Sequence, residues 1–521
     1  MTLSSSLGIV ARPRDAAEPA LDRPRWRQRA PLAAQLAAAL VGLVAIGAYL
    51  FVALRRIDYP FAIEALEGNS LVEVHRILAG QQLYPAPTAG YVPDGYPPLY
   101  FYVAAAAARV FGVSYLPLRL VSLVSSLACF ALLARLVQRE TGSIAAGTGA
   151  AGVFAATYFA AGTWFDLARV DSLFLALSIG GLYAARYMRR TRGAIAAGLL
   201  LAAAALTKQS GLAEVVAVTA VLLIGPRRRL ACYAGVTAVA VLGVSTLALR
   251  LASGGWYTYY IFKQMSEHAL AYGNFGWFWT ALLTATGLAA CAALIGARRV
   301  PLELLAGCAA LAVEGYSALV ANGGTINDML PAYLAVALLA GLALGAGSAR
   351  WVTTAAGVLV LAQSAFLLAG SHPSQAIPSS ASRAAGERLV AGMRAFGGDV
   401  AVPDNPSLSL MAGMAPAAVP GGVRDVLSAT DKDGIDSFRH STQEAIAAHK
   451  FSAIIDDAPG APLYNPAGFL KNYHQCVQPD PTLLVPVARA QARPAVVWIP
   501  WGGMSCQAAF SILDGGKAAG S

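Results

Sequence analysis

Eleven apolar runs between residues 31 and 370, parted by short polar breaks, restrict this chain to one kind of fold. They are 31–53, 117–138, 144–163, 172–188, 194–207, 212–225, 231–252, 277–296, 301–320, 331–347 and 352–370. The first holds about 23 residues, enough at 1.5 Å per residue to cross the ~30 Å hydrocarbon core of a bilayer. A cleavable signal has an apolar stretch of only about 7–15 residues, so this is an uncleaved first span. Hydrophobic residues make up 57% of the chain and charged ones 13%, against about 25% charged in a typical soluble domain. Most of the surface must face lipid. That excludes a cytosolic enzyme, a disordered regulator and a nucleic-acid binder.

Arginine placement orients the runs. Basic breaks carry Arg139, then Arg189, Arg190 and Arg192, then Arg227, Arg228 and Arg229, then Arg298 and Arg299, then Arg350. Together with the arginine-bearing arm 1–30 they mark the cytoplasmic side. Breaks rich in aromatic, acidic or amide residues, at 54–96, 164–171, 253–276 and 321–329, fall outside. An odd number of spans puts residues 371–521 outside as well. The apolar stretch 98–113 follows Pro97-Pro98 and must not cross, because another crossing would invert every later arginine cluster. It reads as an interfacial or re-entrant helix, inside a first outer loop spanning 54–115. The stretch 193–225 must go out and back, turning at Lys208-Gln209-Ser210-Gly211, with both halves short.

The polar residues that stand out all lie in outer breaks. In the first loop, Ile63, Leu66, Ser70, Val74, Ile77 and Leu78 recur at helical spacing, which predicts a helix from Ala62 to Leu78. Glu67 then flanks the apolar stripe, where a carboxylate facing the membrane is costly and points to function. Glu64 lies three residues before it, and Glu73 reads as a solvated acid. Asp166, Arg169 and Asp171 crowd one span end, either as a site or as an ion pair that closes the helix. Lys208 stands against the positive-inside tendency, and either meets an anionic ligand or snorkels to headgroups. Glu267-His268 sits in an aromatic loop, and Asn322, Asn327 and Asp328 close the set. Such a face, reached from lipid and from the periplasm, suits a substrate that is part lipid and part polar with a phosphate between.

With these phrases in view, the chain resembles the C-type glycosyltransferase superfamily of polytopic membrane enzymes. It looks most like the branch of the protein O-mannosyltransferases and the lipid A aminoarabinose transferase. The similarity rests on Glu67-Gly68 after the first span, on Gly80-Gln81-Gln82-Leu83-Tyr84, and on the phrase beginning Tyr96-Pro97-Pro98-Leu99. It continues through Arg169-Val170-Asp171, Thr207-Lys208, Glu267-His268 and Leu330-Pro331-Ala332-Tyr333. Many relatives begin the first-loop phrase Asp-Glu, whereas here Leu66 precedes Glu67 and the other acid is displaced to Glu64. Relatives of the aminoarabinose type carry basic residues where this chain has Asn322-Gly323-Gly324.

The resemblance implies an all-α polytopic bundle of about 11 helices over 31–370 with a small C-terminal periplasmic α/β domain over 371–521, in a bacterial inner membrane. It implies transfer of a sugar from a polyprenyl-phosphate carrier to a periplasmic acceptor hydroxyl on a glycolipid, polysaccharide or protein, with inversion. Glu67 would be the base, and Glu64 or Asp171 would orient the acceptor or a divalent cation. Arg169 and Lys208 would hold the phosphate, with Tyr84, Tyr96, Asp166, Glu267, His268 and Asn327 lining the substrate. Membrane lipid is a partner and nucleic acid is not. The rival readings are a flippase of lipid-linked sugar, which needs polar groups at the bilayer midplane, and an inactive glycan-binding relative. In the C-terminal domain, 399–402, 451–456 and 495–501 read as strands and 442–450 as a helix. Cys476 and Cys506, the two cysteines outside the spans, are candidates for a disulfide on the oxidising side, and the tail from Gly515 reads as disordered.

Overall fold

A computed structural model of the chain describes residues 25–296, 300–345, 350–457, 468–477 and 496–513. Most of the basic arm, Arg298, Arg299 and the tail from Gly515 lie outside the described residues. Helices occupy each of the eleven apolar runs: α1 (Arg25–Arg56), α4 (Tyr115–Thr141), α5 (Ile144–Ala156), α6 (Asp171–Tyr187), α7 (Thr191–Thr207), α8 (Leu212–Ile224), α9 (Arg228–Ala252), α11 (Gly273–Gly296), α12 (Leu302–Val320), α13 (Leu330–Gly345) and α14 (Arg350–Ala369). The first loop holds α2 (Glu67–Leu78) and α3 (Leu99–Phe111), and a single turn, α10 (Trp256–Thr258), leads into a π-helical turn at Tyr259–Gln264.

Among the described residues, seven helices are long and apolar enough to cross a membrane: 30–56, α4, α9, α11, α12, 326–345 and α14. The others at the apolar runs are shorter, and α5 is the clearest departure. The run 144–163 predicts a span of 20 residues, but the helix stops at Ala156. Thr163 and Gly162 then take positive φ, and 157–170 continues without regular helix. That break lets Asp166 and the Ala168 N–H turn toward the first loop.

Packing follows residue size. Helix α13 is Leu, Ala and Gly on every side and is 89% buried over its span window, so it forms the bundle centre; a helix apolar all round belongs in an interior. Its opposite is α9, only 17% buried, which lies at the periphery. Helix α1 crosses α5 at Gly42 and Gly152, where a Cβ on Gly152 would lie 2.1 Å from Gly42 Cα. Nothing larger than glycine fits that crossing.

The C-terminal part contains α15 (Ser380–Arg394), α16 (Pro406–Met411), α17 (Pro420–Ser428), α18 (Lys432–Ala447), α19 (Phe469–Asn472) and α20 (Cys506–Leu513) around a small sheet. Strands β1 (Asp399–Ala401), β2 (Phe451–Asp456), β3 (Tyr473–Val477) and β4 (Val496–Pro500) are ordered β1-β2-β4-β3, with β1–β2 parallel and the other pairs antiparallel. The helix expected at 442–450 begins ten residues earlier, at Lys432, where Asp431 caps it by accepting from the Asp433 and Gly434 N–H groups. Helix α16 rests on α2. A Cβ on Gly68 would lie 2.8 Å from Asn405 Oδ1, so the glycine beside Glu67 is the seat for this part of the chain.

Candidate active site

The first-loop helix starts at Glu67, five residues later than the expected Ala62. The carboxylates themselves cause the delay. Glu67 Oε2 accepts from the Ile63 N–H at 2.7 Å, and Glu64 Oε2 from the Leu66 N–H at 2.9 Å, so residues 63–66 fold into a turn. Glu64 and Glu67 are therefore not neighbours on one helical face.

Glu67 is fully buried and fully engaged. Arg119 of α4 grips both oxygens, Nε to Oε1 at 3.0 Å and Nη2 to Oε2 at 2.8 Å, and the Ala168 N–H donates to Oε1 at 2.7 Å. Arg119 also donates to the carbonyls of Arg56, Tyr59 and Phe61. Burial alone would raise the Glu67 pKa, but Arg119 and the two backbone N–H groups bring it below the usual carboxylate value. A carboxylate with both oxygens doubly occupied is a poor proton acceptor, and the base role expected for Glu67 does not fit this geometry.

Glu64 is the contrasting case. It too is buried, but among the described residues it accepts one hydrogen bond. Burial, with Glu67 and Asp94 nearby, lifts its pKa to about 8, against the opposing pull of Arg169. Arg169 itself is loosely held. It reaches Asp94 Oδ2 at 3.3 Å, the Leu66 carbonyl at 3.4 Å and the Tyr96 hydroxyl at 3.4 Å, and its Nε has no partner among the described residues. Asn69 donates to Asp94 at 2.7 Å. Glu73, expected to be solvated, is buried and accepts from the Asp94 N–H at 2.8 Å; burial and Asp94 hold its pKa well above the usual range.

A second group adjoins the first across Tyr96. Lys208 lies 3.4 Å from Asp171, 3.3 Å from Asp328 and 3.6 Å from Glu314. Asp171 also accepts from Trp164 Nε1 at 2.9 Å and from Asn327 at 3.4 Å, and Ser210 donates to Glu314 at 2.8 Å. Lys208 thus faces three carboxylates, which does not suit it to receive a phosphate. The structure brings Asp171, Lys208 and Asn327 together here, and Glu64, Arg169 and Tyr96 in the first group. Tyr84 stands behind Tyr96, its hydroxyl donating to the Tyr96 carbonyl at 2.7 Å.

Three expected substrate residues are used elsewhere. Asp166 is locked to buried Arg56 at 2.7 and 2.8 Å and accepts from the Tyr158 hydroxyl at 2.8 Å, so it closes the helix end instead of lining a substrate; Arg56 also donates to the Ala376 carbonyl. Glu267 accepts from the Thr430 N–H and hydroxyl at 2.7 and 2.6 Å, and His268 lies 3.4 Å from Asp425. These two fasten the aromatic loop to the C-terminal domain.

A divalent cation finds no ready cage. Among the described residues, the one group of three ligand atoms within 4.8 Å of each other belongs to His474, Cys476 and Cys506, and Cys476 and Cys506 are joined in a disulfide. Among the described residues, Glu64 and Asp171 belong to no such group.

Arg119, Asp94 and Glu314 complete these groups; sequence reasoning assigns no role to Arg119 or Asp94, whereas Glu314 stands out as an acid inside its apolar run that could pair with a neighbour, here Lys208. Arg119 is an arginine near the outer end of the apolar run 117–138, a signal that was available. Glu214 also went unremarked: it is buried in α8 with both oxygens lacking a hydrogen-bond partner among the described residues.

The helical bundle, with its first loop folded back over buried acids and arginines, resembles the C-type glycosyltransferase fold. Within the class it resembles the protein O-mannosyltransferase and aminoarabinose transferase branch. The profile of the family described as "Dolichyl-phosphate-mannose-protein mannosyltransferase" matches residues 95–256. ArnT from Cupriavidus metallidurans in the apo state superposes with a TM-score of 0.56 at 11% identity, over 88% of this chain and 97% of that one. The same protein bound to undecaprenyl phosphate gives 0.51 at 13% identity, with the same coverage. No curated protein matches the chain.

Proposed function

We propose that the chain is a membrane glycosyltransferase that moves a sugar from a polyprenyl-phosphate carrier to an acceptor hydroxyl on the periplasmic side, with inversion. In this reading all eleven apolar helices cross the bilayer, residues 31–370 form the transferase domain, the N-terminal arm is cytoplasmic and 371–521 is a periplasmic domain in a bacterial inner membrane. The undecaprenyl phosphate bound by ArnT and the dolichyl-phosphate mannose in the family description support a lipid-phosphate donor.

One observation carries the mechanism: Glu64, which accepts one hydrogen bond among the described residues, is buried within electrostatic reach of Arg169, whose guanidinium is loosely held. Glu64 takes the acceptor hydroxyl proton as the oxygen attacks the anomeric carbon. The bond from that carbon to the phosphate oxygen breaks, and its electron pair leaves on the carrier phosphate. Arg169 offers that phosphate a planar fork of N–H donors and stabilises the charge that develops. Glu67 and Arg119 set the loop geometry, and Lys208 balances Asp171, Asp328 and Glu314.

The test is turnover. Purified protein given polyprenyl-phosphate-linked sugars should release free polyprenyl phosphate from one of them, and removing the protein from cells should make that donor accumulate. Movement of the intact lipid-linked sugar across vesicles without release would establish a flippase instead.

A further inference from the structure

The segment after α9 builds a second site that the proposed reaction does not use. A cleft of about 620 Å³ is lined by Arg250, Thr258, Tyr259, Phe262, Lys263 and Asp431, within the ~300–1,000 Å³ typical of ligand sites. Arg250, in the last turn of α9, is exposed and has no ion pair among the described residues. Lys263 pairs with Asp431 across the cleft. Tyr259 is only 7% exposed, and its hydroxyl has no hydrogen-bond partner among the described residues. The cleft therefore offers two cations and one acceptor carboxylate beside an aromatic wall to which Tyr259 belongs.

Two further features say what would fill it. Val244, Leu247 and Leu251 are 69%, 58% and 73% exposed and recur at helical spacing, so an apolar stripe of α9 runs up to the cleft. A soluble anion would have no use for that stripe; acyl chains would. The segment that lines the cleft also packs on the first loop. Met265, just beyond it, covers Gly95, where a Cβ would lie 2.6 Å from Met265 Cε, and Gly95 sits between Asp94 and Tyr96.

We propose that this cleft binds the headgroup of an anionic phospholipid that also carries hydroxyls. Arg250 and Lys263 hold its phosphate, Asp431 meets its hydroxyls, and its chains lie along Val244, Leu247 and Leu251. As the docking place of a lipid acceptor it rests on the transfer reaction proposed above; as a binding site it does not.

Lipid retention on the full-length purified protein, read by native mass spectrometry with phosphatidylglycerol and phosphatidylcholine in turn, tests it without turnover. Phosphatidylglycerol should be retained about tenfold better, the scale of one hydrogen bond to a charged group, and Arg250→Gln or Lys263→Gln should each remove most of that preference. Equal retention of the two lipids, or a preference that survives both substitutions, overturns the proposal. Displacement of phosphatidylglycerol by millimolar inorganic phosphate would make the ligand a free phosphate and overturn the lipid assignment. If phosphatidylglycerol is retained through Arg250 while no donor is ever turned over, the transfer reading fails and the site stands.

Discussion

Arg119 holds both oxygens of Glu67, at 3.0 and 2.8 Å, and neither side chain is open to solvent. Breaking such a pair from one side leaves a buried charge without a partner and costs about 3–5 kcal/mol. Glu67→Gln and Arg119→Gln should each lower the thermal unfolding midpoint and reduce transfer along with it. The double variant should cost less than the two single costs added. Unchanged stability in Glu67→Gln with transfer alone abolished would return the base role to Glu67.

Glu64→Gln should do the reverse: normal folding, and transfer reduced by about 10²–10⁴-fold, the usual contribution of a general base. The base acts only when ionised, and burial has raised its pKa to about 8. In the free enzyme, kcat/KM should therefore climb as pH rises toward 8 and level off above it. A profile already flat between pH 5 and 8, or one that keeps its rise in Glu64→Gln, assigns proton transfer to another group.

Arg169 and Lys208 should separate when each is changed. Arg169→Lys keeps the charge but loses the planar fork, so the donor KM should rise while folding is kept. Lys208→Gln leaves Asp171, Asp328 and Glu314 without their shared cation, so stability should fall first. Donor binding that responds to Lys208 and ignores Arg169 would put the phosphate at the lysine.

The Cys476–Cys506 bond closes a separation of 30 residues between β3 and the start of α20. In the chain-entropy model such a loop is worth roughly 3–4 kcal/mol. Non-reduced digests should contain the linked peptides, and reduction should lower the unfolding midpoint of the protein. Rapid thiol labelling of both cysteines in intact, non-reduced protein would rule the bond out.

Helix positions were legible because they depend on local run length, and the polar phrases because they stand out against an apolar background. The partners of those phrases were not legible. Glu67 and Arg119 lie 52 residues apart and Lys208 and Asp328 120 apart, and no periodicity connects them. Helical spacing over 62–78 treated Glu64 and Glu67 as side chains of one helix, whereas in the fold their oxygens bind backbone N–H groups and delay the start of the helix. Glu73 looked solvated for a similar reason: the layer that buries it comes from elsewhere in the chain.

Arg56 has a consequence for synthesis. Its guanidinium enters with the first span, but Asp166 follows 110 residues later and the Ala376 carbonyl 320 residues later. An unpaired charge is costly within the bilayer, so until Asp166 arrives the end of the first helix must keep contact with water or headgroups. The first segment to be threaded is thus among the last to be seated, and insertion of this protein ends where it began.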